Sequence, residues 1–247
     1  MAHYDEIGLG YAIRRCTDPT IYAALARELE TATTLLNIGA GAGSYEPSDA
    51  SLVALEPAWT MLTQRPSTAH PAVQGNAEQL PFPDKSFSHC MTVLSMHHWQ
   101  NRARAFAEIN RVTKERFVAI SWNPEASPFW LTRDYFPGIH AHDVDIFPGL
   151  AELHAHFDEL QVQALPIPEN CEDGFLAAFW KRPEAYLSEE IRQSISSFAA
   201  LPQLQQGLAA LRTDLDSGRW ASRNADVLAG STLDAGYWLI TAEPRAP

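Results

Sequence analysis

Three alternating glycines, Gly39, Gly41 and Gly43, follow a short apolar run, Leu35-Leu36-Asn37-Ile38. A second apolar run, Leu52-Val53-Ala54-Leu55, ends on an acid, Glu56. Glycines let a backbone approach a bound ligand closely, and their N–H groups can point at it. An acid at the end of a second strand can accept hydrogen bonds from both hydroxyls of a ribose. Strand, glycine loop, helix, strand, acid is the nucleotide-site layout of a doubly wound sheet. The spacing is G-x-G-x-G. A dinucleotide fingerprint would place its third glycine at position 44, where the chain has Ser44. Taken alone, such a loop is also an ordinary strand–helix turn.

Other residues have chemistry to offer. His97 and His98 follow the apolar run Cys90-Met91-Thr92-Val93-Leu94. An unperturbed histidine titrates near the pH at which a general base works best. Both are therefore candidate catalytic residues, with His98 preferred; the alternative is that they only shape a pocket. His140-Ala141-His142-Asp143 and His154-Ala155-His156 have metal-ligand residue types. They fall outside any strand-end context, read as solvated or substrate-facing histidines, and no metal is expected. Cys171 has no identifiable partner that would make it a nucleophile.

These residues need elements to position them. The periodicity predicts strands near 34–38, 51–55, 71–74, 88–94 and 115–122. It predicts helices over 18–31, begun by Asp18 and Pro19, and over Arg102 to Val112. This is the alternation of a parallel sheet. Residues 123–150 hold four prolines and several aromatics, including Phe129, Trp130 and Phe136, and read as a long connection of the lid type. Leu160 to Leu165 reads as a sixth strand. Cys171 to Trp180, Ser188 to Leu201 and Gln203 to Leu215 read as helices, and Gly236 to Ala242 as the last strand.

The 247 residues are 46% hydrophobic and 19% charged, which suits a single domain over 1–247 with a lid or substrate region at about 123–150 and 170–218. The net charge is −12, with no dense basic cluster, which disfavours nucleic acid as a partner. No apolar run is long enough to span a membrane, and the start lacks the pattern of a signal peptide. Cys16, Cys90 and Cys171 are odd in number and widely spaced, which suits reduced thiols and a cytoplasmic location. A small-molecule partner is expected; the oligomeric state is open.

Four motifs arrive in order: the glycine loop; Glu56-Pro57 with Met61-Leu62; Gly75-Asn76-Ala77-Glu78-Gln79-Leu80-Pro81-Phe82 leading to Asp84 and Ser86-Phe87; and Ser95-Met96-His97-His98-Trp99. Together they resemble the class I S-adenosylmethionine (SAM) dependent methyltransferases, in particular the small-molecule type 11 group, over about residues 4–122. The resemblance implies a Rossmann-like α/β fold: a seven-stranded, mostly parallel sheet with helices on both faces and a helical cap. It implies SAM as cofactor. Gly39, Ala40, Gly41 and Gly43 would cradle the methionine end, and Glu56 the ribose. Pro57 and Met61 would pack on the adenine, Asn76 and Ala77 would hydrogen-bond it, and Leu94 and Ser95 would close the site. Tyr11 would cover the cofactor, and Arg15 would pair with its carboxylate. Asn37 and Asn76 stand where the family usually has Asp. The segments 171–175, 180–184 and 214–220 look similar to one bacterial branch of the group. The implied reaction is methyl transfer to an O, N or C nucleophile. The alternatives are a non-methylating rearrangement or cyclisation on the same fold, or a non-catalytic SAM-binding protein.

Overall fold

A computed structural model describes residues 14–199 and 201–245. The strands are β1 Leu35–Ile38, β2 Leu52–Glu56, β3 Ala72–Gln74, β4 Phe87–Val93, β5 Thr113–Trp122, β6 Phe157–Ala164, β7 Ile167–Pro168, β8 Thr232–Leu233 and β9 Tyr237–Pro244. Seven of them form one sheet in the order β3-β2-β1-β4-β5-β9-β6. β1 to β5 pair in parallel, and β9 inserts antiparallel between β5 and β6. The reversal at β1, with β2 on one side and β4 on the other, opens a crevice beyond the carboxyl ends of these strands.

Side-chain alternation along each strand divides the core into two layers. Leu35, Ala54, Met91, Val118 and Ile120 face one side, with Ile21 and Leu25 of α1 (Pro19–Glu28). Leu36, Leu55, Cys90, Phe117 and Ala119 face the other, behind α3 (Arg102–Val112), while the short α2 (Trp59–Leu62) follows β2. Asp18 caps α1 by accepting from Thr20 N at 2.9 Å and Ile21 N at 3.0 Å. Asn101 caps α3 through Arg104 N at 3.0 Å.

The second half departs from the sequence expectation in several places. The expected loop 123–150 contains α4 (Trp130–Asp134) and α5 (Pro137–Ile146), and α6 (Leu150–His156) leads directly into β6. Pro137 occupies the first turn of α5, where its missing N–H costs nothing. β6 starts at Phe157, earlier than expected, and carries a register shift between Asp158 and Gln161. Residues 171–180 form turns rather than a helix. There Asp18 Oδ2 accepts from Glu172 N at 3.0 Å, and the Trp180 indole donates to the carbonyls of Ile167 and Pro168. These long-range bonds outweigh local helix propensity. The expected helix 188–201 breaks into α7 (Glu189–Gln193) and a 3-10 turn, Ser196–Phe198. α8 (Leu204–Asp216) agrees with expectation.

Trp130 and Phe136 are buried in a third core with Tyr186, Phe198, Leu211 and Trp220. They hold the cap together rather than line a cavity. The Trp130 indole donates to Trp180 O at 2.9 Å, and its ring packs edge-on against Tyr186 and Trp220. Trp130→Ala should therefore cost about 3–5 kcal/mol of stability, as large aromatic truncations in cores do. Urea denaturation checks this; an unchanged midpoint would mean that the cap does not depend on this core.

Candidate active site

A cleft of ≈ 880 Å³ opens at the carboxyl ends of β1, β2 and β4. Arg15, Gly39, Ala40, Gly41, Glu56, Pro57, Met61, Asn76, Ala77, Leu94 and Ser95 all line it. Tyr11 lies outside the described residues. The sequence reading missed Tyr45, Glu78, Trp99, Gln100, Asn101 and Arg104, which also line it. Glu78 and Trp99 lie within the quoted motifs without having been given a role, and only the folded chain turns Tyr45, Gln100, Asn101 and Arg104 toward the cleft.

The glycine loop is built by close approach. Gly39 has φ +70°, and a Cβ there would sit 1.9 Å from Ser95 Oγ. Only glycine fits both the conformation and the gap. Gly39 N and Ala40 N both donate to Leu55 O, at 2.8 and 3.1 Å, which seats the loop on β2. Glu56 completes the seating. Its Oε2 accepts from Gly41 N and its Oε1 from Ala58 N, each at 2.9 Å, and the residue is 5% exposed. A carboxylate has about four lone-pair sites, so one side chain can hold both backbone segments at once.

Behind the loop lies a buried ion pair absent from the sequence reading. Arg65 Nη1 and Nη2 donate to Glu46 Oε1 and Oε2 at 3.0 and 2.7 Å, with both side chains under 7% exposed. Asn37 Nδ2 donates to the same Glu46 Oε1 at 3.0 Å. An Asp at 37 could not make that bond, which gives the departure from the family pattern a physical reason. Gly43 does not line the cleft; a Cβ there would meet Arg65 Nη1 at 3.1 Å.

Arg15 reaches the cleft while its Nε donates to Asp173 Oδ1 at 2.6 Å. The Tyr45 hydroxyl donates to Asp173 Oδ2 at 3.1 Å. Burial and Asp173 push the Tyr45 phenol well above its ordinary range, so it stays protonated as a donor. Asp173 thus anchors the entry segment, and it belongs to the 171–175 motif.

The two histidines part company. His98 is exposed and lines the cleft. His97 lines a second, inner chamber of ≈ 40 Å³ with Leu94, Trp122, Asp143, Phe147 and Tyr237. Its ring stacks on Phe147 with centroids 4.2 Å apart, and its Nδ1 is buried with no hydrogen-bond partner among the described residues. Burial, with His98, Arg15 and His142 adding to it, holds His97 well below the ordinary histidine range. Asp143 is turned inward from α5 and 6% exposed, whereas His142 beside it is exposed. Burial pushes the Asp143 carboxyl up to about 7, against a weak opposing bond from Ser197 Oγ at 3.4 Å. Leu94 separates cleft from chamber with φ +48°, a strained conformation for a branched side chain. Among the described residues no three His, Cys, Asp or Glu side chains converge as metal ligands.

Residues 36–118 match the model of a methyltransferase domain. A structure from Anabaena variabilis, described as a candidate methyltransferase from an antibiotic biosynthesis pathway, superposes with a TM-score of 0.82 at 29% identity, over 93% of this chain and 98% of that one. Residues 36–118 thus carry a methyltransferase domain, and the fold is that of the class I SAM-dependent methyltransferases. Two more distant structures share the fold. Geranyl diphosphate C-methyltransferase from Streptomyces coelicolor, solved with Mg²⁺, geranyl-S-thiolodiphosphate and S-adenosyl-L-homocysteine, matches at 16% identity and TM-score 0.52, covering 91% of this chain and 75% of its own. The (4+2)-cyclase SpnF matches at 14% identity and TM-score 0.56, covering 99% and 95%. No curated protein matches significantly. The methyltransferase's cleft fits SAM: a glycine cradle that a Cβ would fill at Gly39, an acid at the β2 end, and a volume within the range of small-ligand pockets.

Asn37→Asp places a second carboxylate against buried Glu46 and should destabilise the fold by about 2–4 kcal/mol at neutral pH. Denaturation midpoints should recover in part on acidification, when one carboxyl takes a proton; equal stability at pH 7 would show that the network is not taut. Asp143 titrates high in the folded state, so the native protein keeps a proton that the unfolded chain releases near pH 3.8. Its contribution is full below that pH and is lost as pH rises through about 7. Asp143→Asn should therefore match the parent at pH 4 and exceed its stability at pH 8, by up to about 4 kcal/mol. Parallel melting curves across that range would disprove the raised carboxyl.

Proposed function

We propose that this methyltransferase transfers the methyl of SAM to an O, N or C nucleophile on a small molecule. The observation that carries the reading is the convergence of the glycine loop, Glu56 and the Asn76-Ala77 segment on one cleft, beside a chamber covered by the helical cap. When bound, SAM supplies an electrophilic methyl on a sulfonium. The chain's own residues do the rest. Gly39 to Gly41, their N–H groups held by Leu55 O and Glu56, form a floor without side chains that lets the methionine end approach closely, and Arg15, oriented by Asp173, offers its guanidinium to the carboxylate. Glu56 accepts from the ribose hydroxyls. Met61, 3% exposed, and Pro57 wall the adenine, and Asn76 and Ala77 hydrogen-bond its edge. Leu94 and Ser95 close the inner end.

A small acceptor is supported by three features. The net charge of −12 offers no basic track for a nucleic acid. The cap covers the inner chamber. No described helix is long and apolar enough to cross a membrane. Three free thiols, Cys16, Cys90 and Cys171, support a reducing cytoplasmic setting. His98 sits in the cofactor cleft and His97 in the chamber, so of the two His97 is better placed to touch an acceptor.

Glu56→Ala tests the cofactor assignment. It should weaken S-adenosylhomocysteine binding by about 1.5–3 kcal/mol, the scale of a hydrogen bond to a charged group. It should also lower stability, because Gly41 N and Ala58 N lose their acceptor. Calorimetry with S-adenosylhomocysteine and with NAD measures the first effect; an unchanged dissociation constant, or tight NAD binding, would overturn the assignment.

A further inference from the structure

The inner chamber holds a carboxyl that cofactor binding leaves unused. Asp143 reaches it from α5, deep in the cap, with Ser197 as its hydrogen-bond partner and no cation paired with it among the described residues. Such a group is costly to bury unless a ligand satisfies it. Facing the same space is His97, whose buried Nδ1 also has no partner among the described residues. Asp143, held by the long bond from Ser197, and the unpartnered His97 Nδ1 line one chamber with Trp122, Phe147 and Phe175, which defines a site for a polar group carried on an apolar body.

The chamber lies next to the cofactor cleft. Arg15 and Leu94 line both, so one layer of side chains separates them. Its volume of ≈ 40 Å³ takes the reacting end of an acceptor rather than the whole molecule.

We propose that Asp143 is the catalytic base of the transfer, receiving the proton of a hydroxyl acceptor whose oxygen enters the inner chamber beside Leu94. The proposal rests on the reading of a small-molecule acceptor and names its class. A hydroxyl suits the site because it can donate its proton to a carboxylate and still present a lone pair for attack. An ammonium held by the same carboxylate has no lone pair left. In the step, the acceptor's O–H bond breaks and its proton passes to the Asp143 carboxylate. An oxygen lone pair forms the new O–CH₃ bond. The C–S bonding pair stays on sulfur, which becomes a neutral thioether. His97, held neutral by burial, orients the hydroxyl by a hydrogen bond and is a positioning residue. A carboxyl that titrates near 7 is matched to base work at neutral pH, whereas His97 is too weak a base for it. The charged and titratable groups around the chamber are Arg15 from the entry segment, His97 and His98 after β4, His140 and His142 on α5 itself, and Tyr237 on β9.

The test uses phenol as probe and aniline as its nitrogen counterpart. Calorimetry on the S-adenosylhomocysteine complex reads binding, and release of S-adenosylhomocysteine from SAM reads transfer. Phenol should bind the parent complex, and its methylation should rise with pH to a plateau above about 7. Asp143→Asn should keep S-adenosylhomocysteine affinity and hold phenol affinity within about threefold. It should lower transfer by roughly 10²–10⁴-fold, the usual yield of general base catalysis, and flatten the pH profile. An Asp143→Asn enzyme with parental rate and profile would overturn the assignment. So would methylation of aniline without phenol, or a complex that holds S-adenosylhomocysteine but not phenol. Absence of S-adenosylhomocysteine binding by the parent would be a different failure, one of the cofactor reading itself.

Discussion

The Glu56 carboxylate is the interaction on which the site depends. It takes backbone N–H groups from both sides of the crevice mouth, Gly41 in the glycine loop and Ala58 at the start of α2. Carboxylate-to-amide bonds are stronger than neutral ones, and here they join two segments that share no ladder. The loop is thereby held against β2, and the same side chain lines the cleft that it shapes.

The loop also needs support from behind, and polar chemistry supplies it in a place where apolar packing is more usual. Glu46, Arg65 and Asn37 form a buried, mutually satisfied group beneath Gly43. Buried charges add little net stability, but removing one partner leaves another stranded, so the arrangement tolerates few alternatives. Asp173 plays a comparable part at the entry. It holds Arg15 and Tyr45 together, and so links the segment before α1 to the turns that follow β7. Both networks restrict how the cleft can be lined.

The cap has its own core, centred on Trp130, Tyr186 and Trp220, and it meets the sheet around Leu94 and Trp122. This division lets the sheet build the cofactor cleft while the cap brings a buried acid, Asp143, over the neighbouring chamber. The strained backbone at Leu94 marks the boundary, as strain often does where two functional spaces meet.

The first half of the chain could be read from sequence because its signals are local. Parallel central strands are buried on both faces and appear as apolar runs, the glycine loop needs positive φ at named positions, and Glu56 ends its strand by register alone. Those features marked the segments that line the cleft. The separation of His97 from His98 could not be read this way, because neighbouring residues in a 3-10 turn point to different spaces only once the cap is in place. The Arg65–Glu46 and Arg15–Asp173 pairs, the turns at 171–180 and the inward face of Asp143 were likewise decided by tertiary structure. Each depends on groups far apart in the chain, and the environment that raises the Asp143 carboxyl or buries Arg65 is created only when those distant segments pack together.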